Sequence, residues 1–346
     1  MIRTLALLAA SSLALVACSD TGGGGEVREQ IRAVGSSTVY PFTTAVAEQF
    51  TTKNADFRSP IIESTGTGAG MKLFCAGVGA QFPDIENASR RMKKSEFESC
   101  QKNGVKEIVE IQVGIDGLAL VEALNGLDMK LTTADVYKAL AANPGGKPQT
   151  AKTWRDVNPT LPAVPIQVYG PPSTSGTRDS LVELIMTPGC DADPAMKALK
   201  ESNSEQHEQF CSKIREDGAY IESGENDNLI VQKLASNTNA VGVLGYSFLE
   251  ENARSIRGVT MNGVAPTYET ISDFTYPGAR AMFIYVKGAH LNAIPGLKAF
   301  VAEYASAWNP DGYLTRRGLI ASTDAKRAEM AQRATALTPM TGADLK

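Results

Sequence analysis

The chain has 346 residues, of which 43% are hydrophobic and 21% are charged, and its formal net charge at pH 7 is −4. This length is enough for two domains with buried cores. A mildly acidic chain without a run of lysine or arginine argues against nucleic acid as a partner. If the protein binds an anion, local donors must hold it, because the chain has no overall positive field.

The first 17 residues have the layout of a bacterial secretory signal peptide, with Arg3, an apolar stretch, and then Ala17 before Cys18. The apolar stretch is too short to span a membrane as a helix. The motif "LVAC" resembles a lipobox, which predicts a lipid on Cys18 and a periplasmic protein anchored to a bacterial membrane. Residues 18–30 are then a glycine-rich tether. The alternative is an ordinary signal peptide with a chance cysteine near its cleavage site.

Strand-like and helix-like segments alternate along the rest of the chain. In chain order, the pattern predicts strands at "IRAVG", "SPIIES", "VEIQVGIDGLALVEA", "PIQVYG", "AVGVLGYSFL" and "GARAMFIYVK". The intervening helices include "PFTTAVAEQF", "TTADVYKAL", "RDSLVELIM", "NLIVQKLASN" and "IPGLKAFVAEYASAW". Such alternation favours an α/β fold with largely parallel sheets. Gly114 and Gly117 are expected to interrupt the longest of the strand-like segments.

Four cysteines remain after Cys18, an even number that suits disulfides in an oxidising compartment. They allow three pairings, and pairing by nearest position predicts Cys75–Cys100 and Cys190–Cys211. A metal site is disfavoured, because the chain has no C-x-x-C pair and its only histidines are His207 and His290. We therefore predict structural disulfides, no metal and no cofactor, with His207 at the surface and His290 in a loop.

Four segments share one local design, in which hydroxyl side chains and glycines lie where a strand ends or a helix begins. They are "VGSSTVYPF", "ESTGTGAGMK", "NASRRMKKS" and "STSGTRDSL". A helix N-terminus leaves N–H groups without partners and carries about half a positive charge, so it favours anions. Hydroxyls add neutral donors, and an arginine adds a planar charged fork. Each segment alone is more often a helix cap or a turn, but the four together favour one shared oxyanion site.

The order of "GSSTVYPF", "STGTGAGMK", "DIENASR" and "SGTRD" behind a lipobox resembles the substrate-binding proteins of bacterial high-affinity phosphate ABC transporters. The resemblance runs from about Arg32 to the C-terminal region. It implies an α/β, two-lobe periplasmic-binding-protein fold of type II, with phosphate in the interlobe cleft. Lobe I would comprise residues 31–117 and 276–346, and lobe II residues 118–275.

By motif, the resemblance implies phosphate contacts from all four loops. The implied ligand-binding residues are Ser37, Thr38, Thr67, Gly68, Ser89, Arg90, Ser175, Gly176, Thr177 and Arg178. In the best-known members, a carboxylate after the third strand accepts the proton of hydrogen phosphate, and Arg90 stands near that place here. Asp116, Asp179 and Glu63 are left as candidates for that role.

The resemblance implies a monomeric extracytoplasmic receptor that binds inorganic phosphate and delivers it to an ABC permease in the inner membrane. Its only contact with the membrane itself would be the lipid anchor. The alternatives are a binding protein for sulfate, molybdate or phosphonate, a receptor that reports phosphate to a sensor, and an exported phosphoester hydrolase. A hydrolase is disfavoured, because no G-x-S-x-G motif occurs and neither histidine lies near a serine motif. We therefore predict no enzymatic activity.

Overall fold

The computed structural model describes residues 28–173, 175–224 and 227–345, so the expected signal peptide and Cys18 lie outside the described residues. The strands are β1 (Arg32–Gly35), β2 (Ile61–Ser64), β3 (Ile85–Ala88), β4 (Ile108–Ala123), β5 (Lys130–Leu131), β6 (Val168–Gly170), β7 (Tyr220–Glu222), β8 (Val241–Gly245), β9 (Ile256–Gly258), β10 (Thr260–Met261) and β11 (Ala279–Lys287).

The helices are interspersed with these strands, and four of them follow one another between β6 and β7. They are α1 (Tyr40–Lys53), α2 (Thr67–Phe74), α3 (Lys94–Lys102), α4 (Thr133–Leu140), α5 (Trp154–Val157), α6 (Gly176–Ser180), α7 (Thr187–Asp191), α8 (Pro194–Ser202), α9 (Ser204–Cys211), α10 (Asp227–Ser236), α11 (Tyr246–Glu251), α12 (Tyr268–Ser272), α13 (Leu297–Ala307) and α14 (Asp324–Ala336). A π-helical segment, Leu181–Met186, joins α6 to α7. Short 3₁₀ turns occur at Pro144–Gly146, Gly288–His290 and Thr315–Arg317.

The main sheet has the strand order β2-β1-β3-β11-β4-β8-β6-β7, and β9 also pairs with β4. Strands β1, β2 and β3 are mutually parallel, and so are β6, β7 and β8. The two long strands between these groups, β4 and β11, run antiparallel to their neighbours. The expectation of largely parallel sheets therefore holds for each outer group but not for the strands that connect them.

The expected interruption of β4 at its glycines is wrong, because the strand is continuous over 16 residues. A Cβ at Gly114 would lie 2.5 Å from Leu319 Cδ1, and one at Gly117 would lie 2.4 Å from Ile320 Cδ1. Ile320 also pairs with Ile115 of β4 through an isolated antiparallel bridge. The two glycines thus make room for a segment that packs on the strand, and they do not break it.

The apolar cores lie on either side of the β4–β11 pair. In the β1–β3 half, α1, α13 and α14 cover one face of the sheet and α2 and α3 cover the other. In the β6–β8 half, the second part of β4 packs with α4 and α10 in a core that includes the fully buried Trp154. Strands β4 and β11 therefore carry the chain between the two halves, while the lobe boundaries given above stay a prediction.

Both disulfides predicted from the spacing of the cysteines are confirmed. Cys75–Cys100 ties the end of α2 to α3, and Cys190–Cys211 ties α7 to α9. The two bridges close loops of similar length, with sequence separations of 25 and 21 residues. Each half of the molecule thus has one covalent link between neighbouring helices.

Removing either disulfide is expected to lower the free energy of unfolding by about 3 kcal/mol. A bridge that closes a loop of this length restricts the unfolded chain, and its removal restores that conformational entropy. The variants are Cys75→Ser/Cys100→Ser and Cys190→Ser/Cys211→Ser, compared with the parent by urea unfolding. Unchanged unfolding midpoints in both double variants would contradict a structural role for the bridges.

Candidate anion-binding site

Three of the four predicted loops leave the same edge of the sheet. Strands β1, β2 and β3 are parallel and in register, with Gly35 opposite Ser64 and Asn87, so their carboxyl ends coincide. In α/β sheets, ligands bind outside such carboxyl ends. The fourth loop follows β6 in the other half of the molecule and leads into α6.

The first and fourth loops are in direct contact. A Cβ on Gly176, the first residue of α6, would lie 3.2 Å from Thr38 Cα, so the absence of a side chain permits this approach. Ser37 Oγ of the first loop donates to Asp179 Oδ2 of α6 at 2.5 Å.

The start of α6 borders a cavity. Ser175 is the N-cap of α6, and its Oγ accepts from the Thr177 amide at 3.2 Å. A cavity of about 500 Å³ lies here, and its lining includes Ser37, Thr38, Asp116, Ser175, Gly176 and Thr177.

The second and third loops are also joined. Thr67 begins α2, and its Oγ1 lies 3.1 Å from Ser89 Oγ and accepts from the Ser89 amide at 3.1 Å. A second cavity of about 500 Å³ lies at this junction, lined by Gly66, Thr67, Gly68, Ser89, Arg90, Glu183, Leu184, Thr187 and Arg280. The N-terminus of α2 therefore borders a cavity that is lined by residues from both halves of the molecule.

Arg280 is bonded to residues of the first cavity and itself lines the second. It lies on β11, is 8% exposed, and lines the second cavity. Its Nη2 donates to Thr38 Oγ1 of the first loop at 2.9 Å and to Ser180 Oγ of α6 at 2.9 Å. Its Nε donates to Asp116 Oδ2 at 3.0 Å, in a cross-strand pair between β11 and β4. One buried guanidinium thus contacts the first loop, α6 and both connecting strands.

The two arginines expected from the loop motifs are already paired with protein groups. Arg90 forms a two-point ion pair with Glu96, with N–O distances of 2.9 and 2.7 Å. That hydrogen bond raises the pKa of Arg90. The guanidinium of Arg178 stacks on the Tyr220 ring, 4.2 Å from its centroid, and Nη1 lies 3.4 Å from the Pro171 carbonyl oxygen. Arg90 lines the second cavity, whereas Arg178 lines neither of the two.

A family model described as a PBP superfamily domain matches residues 20–307. The chain belongs to the PBP superfamily. The α/β periplasmic-binding-protein fold implied by the four loop motifs is thereby confirmed.

Named relatives of this PBP chain agree with that assignment. It is 34% identical over 267 residues to "Protein SphX" of Synechococcus elongatus, which covers 75% of this chain and 68% of the relative. It is 29% identical over 301 residues to "Phosphate-binding protein PstS" of Staphylococcus saprophyticus, covering 84% and 81%. The crystal structure of a possible phosphate binding protein from Planctomyces limnophilus superposes with a TM-score of 0.71 and 28% identity, covering 90% of this chain and 99% of that one.

Within this PBP domain, Arg280 is a residue that the loop motifs did not reveal. Its segment, "GARAMFIYVK", was assigned only as a strand. A lone arginine near the start of an apolar strand needs a partner when it is buried. Asp116 in "GIDGLAL" is one of three carboxylates on β4, and it lies opposite Arg280 in the β4–β11 ladder. An arginine in a largely apolar strand was the available signal, and the sequence alone does not specify which carboxylate pairs with it.

The structure separates the three candidates for a proton-accepting carboxylate. Asp116 lines the first cavity, where its Oδ2 accepts from Ser180 Oγ at 2.7 Å. Asp179 accepts from Ser37 at the boundary of that cavity. Glu63 on β2 pairs with Arg32 on β1, and it lines neither cavity. Asp116 is therefore the candidate that lines a cavity together with predicted ligand residues.

The expectation that His207 is exposed is wrong, since the side chain is buried and its Nε2 lies 2.7 Å from Asp191 Oδ1. His290 occupies a 3₁₀ turn and is buried as well, with Nδ1 2.6 Å from Asp84 Oδ1. The polar residues around each histidine in the sequence suggested exposure, and they did not indicate the carboxylate with which it pairs.

Within the described residues, His207, Cys190 and Cys211 lie close enough to share a metal, but both sulfurs are committed to a disulfide.

In the described part of the chain, every helix is too short or too polar to cross a membrane.

Proposed function

We propose that this protein is an extracytoplasmic receptor that binds inorganic phosphate and delivers it to an ABC permease. The observation that carries the proposal is the position of the buried Arg280 in a member of the PBP superfamily. Arg280 donates to Thr38 of the first loop and to Ser180 of α6, and it lines a cavity with residues of the second and third loops. Relatives that cover most of the chain are named phosphate-binding proteins, which supports phosphate as the anion.

The ligand set proposed for phosphate consists mainly of neutral donors. Backbone N–H groups at the N-terminus of α2 and hydroxyls of the loops can replace the hydration shell of the anion. The proposed residues are Ser37, Thr38, Thr67, Gly68, Ser89, Arg90, Ser175, Gly176, Thr177 and Arg178. Because most of these donors are uncharged, the site needs no positive surface, in keeping with the acidic chain.

Asp116 is the residue proposed to favour phosphate over sulfate. Hydrogen phosphate carries a proton at neutral pH, and a carboxylate can accept a hydrogen bond from it. Sulfate has no proton at this pH, so the same carboxylate would face it with like charge and no compensating bond. Sulfate therefore meets a repulsive contact in the cavity that hydrogen phosphate avoids.

The remaining parts of the proposal concern the location and assembly of the protein. The lipobox-like motif supports an anchor on Cys18, which would hold a monomeric receptor at a bacterial membrane close to its permease. Incorporation of a labelled fatty acid into the wild-type chain, but not into Cys18→Ser, is the result expected.

Calorimetry on protein that has been unfolded, stripped of ligand and refolded tests the proposed ligand. We expect phosphate to bind at micromolar concentrations or below, and sulfate, molybdate and phosphonates to bind more weakly. A preference for sulfate or molybdate would leave the fold standing and change the substrate. An absence of heat with phosphate would overturn the proposed function, and turnover of a phosphoester would favour the hydrolase instead.

A further inference from the structure

Two carboxylates surround the single guanidinium of Arg280. Asp116 accepts from Nε at 3.0 Å, and Glu183 accepts from Nη1. Thr38 and Ser180 complete the set with neutral hydroxyls. With both carboxylates ionised, this cluster carries a net negative charge, and its members come from the linings of both cavities.

A negative cluster is an unfavourable neighbour for a bound oxyanion. Like charges a few ångströms apart repel each other much more strongly near a protein surface than in bulk water, because the effective dielectric there is lower. Anion binding next to Arg280 is therefore favoured when one of the two carboxylates leaves the guanidinium. The oxyanion would then take the place of that carboxylate on a donor that is already in position.

The surroundings of the two carboxylates decide which one leaves. The Asp116 side chain is only 18% exposed, lies on the continuous strand β4, and accepts a second hydrogen bond from Ser180 at 2.7 Å. The Glu183 side chain is 57% exposed, and Arg280 is the partner that the structure gives it. Rotation of Glu183 into solvent thus breaks one contact and restores hydration, whereas Asp116 would lose two contacts.

The position of Glu183 fits such an exchange. It belongs to the π-helical segment between α6 and α7, and π-helical turns are frequent at functional sites. Its side chain helps to line the second cavity together with Gly68, Ser89 and Arg90. When the Glu183 carboxylate leaves Nη1, the freed donor borders a space that already contains the N-terminus of α2 and the Ser89 hydroxyl.

We propose that Arg280 is an anion-binding residue of this receptor and that Glu183 is its exchangeable counter-ion, displaced from the guanidinium when phosphate binds. This inference rests on the proposed function. It adds a ligand from β11, outside the four loops, and an internal carboxylate that competes with the substrate. The affinity of the receptor is then set by the free energy of this exchange and not only by the contacts to phosphate.

Calorimetry with inorganic phosphate on Glu183→Gln tests the exchange. Glutamine keeps the size of the side chain but removes the competing charge, so we expect phosphate to bind about fivefold more tightly, the equivalent of one partly exposed ion pair. Glu329→Gln is the matched control, because Glu329 has a similar exposure of 47% and pairs with Lys326 and Arg333 on α14. Its phosphate affinity should equal that of the wild type.

The role of Arg280 requires a second comparison. We expect Arg280→Met to weaken phosphate binding about a hundredfold and Arg280→Lys, which keeps the charge without the planar fork, to bind with intermediate affinity. The gain from Glu183→Gln should disappear in the Arg280→Met background, since the competition acts only through the guanidinium. A merely structural arginine would leave that gain in place.

These measurements distinguish a failure of the Glu183 exchange from a failure of the proposed phosphate binding. If the wild type binds phosphate and Glu183→Gln binds it with equal or lower affinity, the exchange is wrong while the proposed function stands. Equal affinity of Arg280→Lys and the wild type would also contradict a direct contact through the fork. If no variant and no wild-type sample binds phosphate, the proposed function fails and this inference fails with it. Should Arg280→Met not fold, Glu183→Gln and Arg280→Lys decide the matter.

Discussion

Glu86→Gln is expected to raise the free energy of unfolding by about 3 kcal/mol at pH 7. Glu86 lies on β3 with no exposed surface, and neither carboxyl oxygen has a hydrogen-bond partner within the described residues. Burial, together with the nearby charge of Glu96, raises the pKa of Glu86 from its ordinary 4.5 to about 10. The folded protein therefore holds a neutral acid where the unfolded chain ionises.

The gain in the free energy of unfolding from Glu86→Gln should depend on pH. A carboxyl with a raised pKa contributes its full share of stability below pH 4.5 and loses it progressively as the pH rises toward 10. Glutamine has no such dependence, so the gain should be large at pH 7 and vanish near pH 4.5. Urea unfolding of both proteins at several pH values between 4.5 and 8 measures it.

The neighbouring Glu110 is the matched control, because the same substitution there should have the opposite sign. Its carboxylate accepts from Arg91 at 2.8 and 2.9 Å and from the Tyr285 hydroxyl at 3.0 Å. Glu110→Gln removes the charge that Arg91 requires, so we expect a loss on the order of 2 kcal/mol. A destabilising Glu86→Gln at pH 7 would show that the Glu86 carboxyl is ionised in the folded protein.

Gly70→Ala is expected to destabilise the protein by about 3 kcal/mol. A Cβ at this position in α2 would lie 2.3 Å from Glu86 Oε2 and 2.6 Å from Gly35 Cα. The obstacle on one side is backbone, so α2 and the end of β1 must move apart. Since β1 precedes one predicted phosphate loop and α2 begins at another, we also expect weaker phosphate binding. Urea unfolding and calorimetry measure the two effects.

Gly68→Ala is the control in the same helix. A Cβ there would meet nothing within 4 Å, and alanine is favoured over glycine in helices by up to about 1 kcal/mol. Stability should therefore stay constant or rise slightly. Equal losses in Gly68→Ala and Gly70→Ala would mean that helix geometry, and not the contact with β1, makes Gly70 necessary.

The sequence was most informative where function and local structure use the same residues. Hydroxyls and glycines after apolar runs predicted the loops after β1, β2 and β3, because strand ends and helix starts have local signatures. Thr38 and Gly176 were both named, yet their contact depends on how the two halves of the sheet meet. Nothing in the local pattern of either loop specifies that arrangement.

Long-range electrostatic partners were the part that the sequence could not supply. Arg280 and Glu183 are almost a hundred positions apart, and neither segment indicates the other as its partner. For Arg178, the motif implied a phosphate ligand but not the Tyr220 ring on which the fold stacks its guanidinium. Which charged residues pair depends on the topology of the fold. The alternation of apolar and polar residues predicts strands and helices but not their topology.

The central claim is that one phosphate ion is held by donors from both halves of the sheet. A crystal structure of the refolded protein with a slight excess of phosphate tests it most directly. We expect a single phosphate within hydrogen-bonding distance of residues from the loops after β1, β2 and β3 and of the N-terminus of α6. Phosphate that contacts only one half of the sheet, or that lies outside both cavities, would contradict the account.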